Sequence, residues 1–299
     1  MSTKTQNMTR RYALGALGMT LAAVPFSPLL ACGKGHVKRG ATGWATGGTA
    51  AMTGANTYPN PFASGLGEAC TLTCEQILGP CYGSTLVRKD ISEGHAGLPV
   101  RLALRVLDES CKPLPGATVD IWHAGPSGVY SGGDQHPFCN PDDPKARAAQ
   151  WFRGVQSTDA EGRVDFDTCF PGWYGGRTVH IHFTVKAAGS ETVTSQLYFE
   201  DSLNDGILNT QALYNTRGAR NTRNSSDVIV AQEKLGEFIL QTQQMPDGAL
   251  MAWKTLIVRS STGTPLCEAN SQYLKELVKA GLNPSDASTF PPDMLQPKS

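Results

Sequence analysis

The sequence predicts a mainly β fold, an antiparallel β-sandwich with few short helices. Three observations point there. Short segments of alternating apolar and polar residues recur along the chain, each bounded by turn residues. Their period of two is that of a half-buried strand. Helical periodicity is clear in one segment only, near the C-terminus.

The elements follow in order. VRLALRVLD (100–108) alternates as a strand does, and ESCKPLPG (109–116) is a turn with two prolines and a glycine. ATVDIWHA (117–124) alternates again, with Val119, Ile121 and His123 on one face, and GPSG (125–128) turns the chain. GRVDFDTCF (162–170), TVHIHFTVKA (178–187), TSQLYFED (194–201) and ALMAWKTLIVR (249–259) are further strands. Residues 227–244 mix strand and helix patterns. NSQYLKELVKAG (270–281) has the pattern of a short helix, capped by Asn270 or Ser271 and ended by Gly281. No internal repeat is visible.

Residues 1–32 have the form of an export signal. Lys4, Arg10 and Arg11 make a basic start, and an apolar run from Tyr12 to Val24 is too short to span a bilayer. Arg10-Arg11 resembles a twin-arginine signal. Leu29-Leu30-Ala31-Cys32 resembles a bacterial lipobox, whose cysteine carries lipid and becomes the first residue. An ordinary cleaved signal with a chance Cys32 is the plainer alternative. Residues 33–67, rich in Gly, Ala, Thr and Pro, are expected to be a flexible linker between a membrane anchor and the domain. Residues 68–268 form the expected β-sandwich domain, and 269–299 a C-terminal helix and tail. The expected location is the cell envelope.

The formal net charge is zero. Nothing in that balance argues for a nucleic-acid partner. Eight cysteines in an exported chain point to disulfides. If Cys32 carries lipid, three bridges leave one thiol over. Only Cys70 and Cys74 are close in sequence, which disfavours a cysteine metal site.

Chemistry concentrates in PGWYGGRTVHIHF, residues 171–183. Residues i and i+2 of a strand share a face, so His180 and His182 project together, with Ile181 and Phe183 opposite. Such a pair can converge on one metal. It can equally be two ordinary histidines of a wet sheet face. Tyr174 and Arg177 precede the strand in a Gly-rich loop. A phenolate is a hard anionic ligand, so Tyr with His favours Fe(III) over Zn(II). Aromatic packing for Trp173 and Tyr174, and a surface ion pair for Arg177, are the bland alternatives.

Between about residues 69 and 200 the chain resembles the intradiol ring-cleavage dioxygenases, the non-haem Fe(III) family that includes catechol and protocatechuate dioxygenases. The blocks carrying the resemblance are LGPCYGSTLVRKDI, LALRVLDESCKPLPGATVDIWHAGPSGVYSG, FRGVQSTDAEGRVDF, PGWYGGRTVHIHF and SQLYF, in that order. The short PGWY-GR-HIH loop is similar to that of the family's exported bacterial branch. The resemblance implies four iron ligands: Tyr82 from GPCY, Tyr174 from PGWY, and His180 and His182 from HIH. It implies that Tyr174 accepts a substrate proton, that Arg177 stabilises developing carbanion charge, and that Gln196 lies beside the substrate. The implied reaction inserts both atoms of O2 into a small aromatic diol and breaks the bond between its hydroxylated carbons. Separately from the resemblance, the expected linker argues for a monomer or homodimer, and the lipobox for membrane attachment through Cys32.

Two departures from the family pattern stand out. Cys81 replaces an aromatic before Tyr82 and is a candidate for a disulfide. Ala124-Gly125 replace a Cys-Asp pair after His123, which is expected to be a packed, hydrogen-bonded residue rather than a ligand. The competing expectation is a non-catalytic β-sandwich lipoprotein that binds an aromatic ligand or a surface partner.

Overall fold

A computed structural model describes residues 43–64, 70–133, 136–140, 143–261 and 263–282. The expected signal, Arg10-Arg11, the lipobox Cys32 and the tail beyond residue 282 lie outside the described residues.

Eight strands form two four-stranded sheets. The first contains β1 (Pro99–Asp108), β4 (Arg163–Cys169), β7 (Gln241–Gln244) and β8 (Leu250–Val258), in the order β4-β1-β8-β7. The second contains β2 (Thr118–Trp122), β3 (Arg153–Ser157), β5 (His180–Ala187) and β6 (Ser190–Tyr198), in the order β3-β2-β5-β6. Three short α-helices, α1 (Pro144–Ala148), α2 (Asp201–Thr210) and α3 (Gln272–Lys279), and several 3-10 turns are described besides. Pairing is antiparallel except between β1 and β8, which run parallel. The expected β-sandwich of mainly antiparallel strands is present, with this one parallel pair inside it. No described helix is long and apolar enough to cross a membrane.

The core follows from the period of two. Val100, Leu102, Leu104 and Val106 of β1 are fully buried in one cluster with Val119 and Ile121 of β2. Ile181, Phe183 and Val185 of β5 join the same cluster. The opposite parity of β5 places His180, His182 and Thr184 on the other face, also buried. Burial of several large side chains at about 25 cal/mol per Å2 is the main favourable contribution.

The expected flexible linker is corrected over residues 43–64. Ala45 N–H donates to Gly248 O at 2.8 Å, and Tyr58 Oη donates to Asp247 at 2.7 Å. Met52 is buried with Ala103, Met245 and Met251 on the outer side of the first sheet, and Tyr58 and Phe62 pack on that cluster. Aromatic and sulfur side chains among the small residues make this segment a packed strap, which average composition conceals. Two short 3-10 turns, Gly48–Ala51 and Ala55–Thr57, lie within it.

Residues 227–244 resolve into a 3-10 turn, Gln232–Phe238, followed by β7. Helix α3 forms as its pattern predicts, with Ser271 Oγ accepting the Leu274 N–H at 3.1 Å as N-cap.

Three disulfides occur: Cys70–Cys111, Cys74–Cys267 and Cys81–Cys139. Cys169 is a buried free thiol. Three bridges and one spare thiol match the cysteine count without Cys32.

Candidate active site

Strand pairing positions most of the site. His182 pairs with Trp122 of β2 on one side and Gln196 of β6 on the other, and His180 pairs with Tyr198. Directly paired residues share a face. The Trp122 indole stacks on the His182 ring, with centroids 5.0 Å apart and planes 12° from parallel. Two loops supply the rest. The first follows β2 and carries Tyr130, whose backbone N–H donates to Cys139 O at 2.8 Å. The second, residues 171–177, precedes β5, and Tyr174 and Arg177 pair across its tight turn. The two loops touch at Gly128, where φ is +79° and a Cβ would lie 2.1 Å from Trp173 O. Any side chain there would force the loops apart.

Four side-chain atoms converge. His180 Nε2 lies 3.2 Å from Tyr130 Oη, 3.2 Å from Tyr174 Oη and 3.0 Å from His182 Nε2. His180 Nδ1 lies 2.6 Å from Thr178 O, which can only accept. Nδ1 therefore carries the proton, and Nε2 faces the cluster with its lone pair. Burial, with Arg177 beside it, lowers His180 to a pKa of about 3. Burial and His180 hold His182 well below its ordinary value. Both imidazoles are therefore neutral. Burial raises both tyrosines, and a partial offset by Arg177 does not reverse the direction at Tyr174.

Tyr174, His180 and His182 thus come together as expected, and Tyr82 does not. Tyr82 is partly exposed and donates its hydroxyl to Asp120 Oδ2 at 2.9 Å. Its ring meets the Trp122 edge at 4.8 Å. Burial and Asp120 push its hydroxyl up to about 12. The fourth member of the cluster is Tyr130, fully buried and missed from the sequence. Its signal was present in GPSGVYSG, a Gly-flanked tyrosine directly after a strand. His123 is buried away from the cluster, stacked on Phe152, with Nε2 2.8 Å from Thr168 Oγ1.

Arg177 and Gln196 adjoin the cluster. The Arg177 Nε–H donates to Asp227 Oδ2 at 2.9 Å, and its Nη2 donates to Gln196 Oε1. The Gln196 amide is oriented by its Nε2–H donating to Ile77 O at 3.1 Å. Burial opposes the charge on Arg177, but Asp227 outweighs it and holds the guanidinium protonated. Burial likewise opposes charge on Asp227. Arg177 and the N–H groups of Ile229 and Thr178 overcome that and lower its pKa. Asp227 was also missed, because it lies 50 residues from Arg177 in a segment of mixed pattern.

A cavity of about 240 Å3 opens over this group and reaches Tyr174, Arg177 and His182. Cys81–Cys139 staples two of its walls, since Cys81 and Phe138 both line it.

The donor set fits a hard trivalent metal. Two imidazole nitrogens and two phenol oxygens meet with no carboxylate among them, the chemistry of an oxidised iron site. Without a cation, the single lone pair of His180 Nε2 faces three neighbours at hydrogen-bond distance. His182 Nδ1 meanwhile has no partner though buried. Among the described residues, no group of three His, Cys, Asp or Glu side chains could hold a metal.

A buried two-tyrosine, two-histidine group on a β-sandwich is the arrangement the structure shows, and comparison with known proteins supplies the family. A family model described as dioxygenase matches residues 79–232, just over half of the chain. A solved intradiol ring-cleavage dioxygenase from Tetranychus urticae is 30% identical with a TM-score of 0.56, covering 64% of this chain and 96% of that one. The chain belongs to the intradiol ring-cleavage dioxygenase family. Catechol 1,2-dioxygenase 2 of Acinetobacter lwoffii is 31% identical over 151 residues, 42% of this chain and 50% of that relative. The protocatechuate 3,4-dioxygenase beta chain of Burkholderia cepacia is 41% identical over 105 residues, 32% of this chain and 42% of the relative. The chain spans about half the length of the curated relatives it matches.

Proposed function

We propose that this chain is a non-haem Fe(III) intradiol dioxygenase acting on a catechol-type diol. The observation that carries the proposal is the meeting of Tyr130, Tyr174, His180 and His182 within 3.0–3.2 Å of His180 Nε2, at the floor of a one-ring cavity. These four residues, rather than a set containing Tyr82, would hold the iron.

Bound there, Fe(III) would supply Lewis acidity toward the two diol oxygens and an acceptor for electron density from the ring. The chain's residues do the rest. Tyr174 lines the cavity and Tyr130 does not. Held as a phenolate when the metal is bound, Tyr174 Oη would be placed to accept a proton from an incoming hydroxyl. Arg177, held in position by Asp227 and Gln196, offers fixed positive charge to negative charge building on the ring. Apolar walls exclude water and strengthen that interaction. Catechol and O2 together give a dicarboxylic acid that keeps every atom of both, with the bond between the hydroxylated carbons broken and two protons then released to water.

We also propose an exported, envelope location with lipid on Cys32. Three disulfides among the described residues support an oxidising compartment. Palmitate labelling of the expressed chain should be lost in Cys32→Ser; retained label would refute the anchor.

The first test is the visible spectrum of aerobically purified, iron-loaded protein, before and after anaerobic catechol. A broad tyrosinate band that shifts to longer wavelength is expected. A colourless iron-loaded protein would overturn the proposal.

A further inference from the structure

Helix α3 lies beyond the residues that match the dioxygenase family, yet it walls the cavity. Leu274 and Leu277 sit three positions apart on one helix face and line it together with Tyr273. Val228 and Ile229 adjoin them, and Ile77 and Phe138 contribute apolar surface from two other loops.

This wall is anchored to the catalytic group. The Ser271 N–H donates to Ile229 O at 2.8 Å, and Ser271 Oγ bonds Val228 O. Asp227, next in line, accepts the Ile229 N–H at 2.9 Å and holds Arg177. On the other side, the Cys74–Cys267 disulfide and the bonds of Glu75 to Cys267 and Ala269 fix the approach to α3. The helix is thus tied both to the Arg177 side of the cavity and to the segment leading to Ile77.

The cavity's size and charge limit what it accepts. At about 240 Å3 it falls below the roughly 300–1,000 Å3 of pockets for drug-sized ligands, so it suits one ring with small substituents. Among the described residues, Arg177 is the only Lys or Arg on its lining, and Asp227 and Gln196 already occupy it. His136, also on the lining, accepts the Phe138 N–H on Nδ1 at 3.2 Å. A ring carboxylate would lose its hydration against leucine, valine and isoleucine without gaining an uncommitted lysine or arginine. A methyl or chloro substituent would meet matching apolar surface.

We propose that the α3 wall selects catechols with an apolar ring substituent over carboxylated catechols, with Leu274 and Leu277 as the specificity-determining residues. This rests on the dioxygenase reading above.

The test uses the full chain, iron-loaded and with disulfides intact. Cleavage of catechol, 4-methylcatechol, 4-chlorocatechol and protocatechuate is measured as kcat/KM for wild type, Leu277→Ala and Leu277→Lys. Wild type should favour the methyl and chloro compounds over protocatechuate by about 30-fold or more. Leu277→Lys should narrow that ratio by about tenfold. Leu277→Ala should lower 4-methylcatechol relative to catechol by about tenfold. Independently of turnover, anaerobic binding of 4-chlorocatechol should slow amide hydrogen exchange across residues 273–279. Protocatechuate as the preferred substrate, ratios unmoved by both Leu277 variants, or unchanged exchange in α3 would overturn the inference and leave the dioxygenase reading intact. No cleavage of any of the four diols would overturn both.

Discussion

Two tyrosines compete for one role. Tyr82 in GPCY and Tyr130 in GVYSG both lie in Gly-containing turns within the family-like blocks. Which one reaches the histidines depends on the return path of a loop, and local spacing does not encode that path. The parity of His180 and His182 is different in kind. It follows from the two-residue repeat of a single strand, so it was legible. Tyr130→Phe should therefore lower bound iron and weaken the visible band. Tyr82→Phe should keep stoichiometric iron and cost about 1 kcal/mol, the worth of its bond to Asp120. Metal analysis and urea melts read both; iron loss confined to the Tyr82 variant would reverse the assignment. Asp227 has an entirely buried side chain opposite Arg177. Asp227→Ala should cost about 3–5 kcal/mol, because a buried guanidinium is left unpaired. A variant as stable as wild type would show that Arg177 finds another partner.

Among the elements, the alternating strands were legible because each buries one face. β3 (RGVQS) lacks a clear apolar alternation and was not singled out as a strand. α2 (DSLNDGILNT) also escaped, since it buries only Asn204, Ile207 and Leu208. The strap at 43–64 was misread because its few large residues are diluted by small ones. Helix α3 was recognised, but nothing in its pattern revealed that it faces the site. Its clamp can be removed. Replacing Cys74 and Cys267 together by Ser should lower stability by about 2–5 kcal/mol. Limited proteolysis should then cut first around residues 268–282. Unchanged stability with α3 still protected would mean that the hydrogen bonds to Glu75 suffice.

Over the described residues as one unit, three of the four buried histidines, His123, His180 and His182, shape the response to acid. Burial lowers His123 to about 4 and His180 to about 3, and holds His182 well below 6.5. In the unfolded chain all three take protons near the ordinary 6.5. Below that value the unfolded state binds more protons, so stability falls as pH falls. Each histidine steepens the slope by up to about 1.4 kcal/mol per pH unit. Asp227 adds a later loss below its ordinary 3.8. Burial raises Asp120 and Glu75 instead, and they act in the opposite sense. Metal-free protein should therefore be most stable above about pH 6.5 and weaken steadily toward pH 4. Urea midpoints across that range test this. A flat profile would mean that the histidines are solvated.

The parallel pairing of β1 with β8 has a consequence for biosynthesis. β8 sits inside its sheet, between β1 and β7, yet among the described strands it is the last to leave the ribosome. Until Leu250–Val258 emerges, β1 has only β4 beside it, and the core face built on Leu102 and Leu104 is half-covered. A nascent chain would thus carry all four residues of the proposed iron site, the last at 182, before the first sheet is complete. Chains ending at residue 249 should remain protease-sensitive where chains ending at 282 resist. If the shorter chains resist equally, the first sheet closes without its last strand.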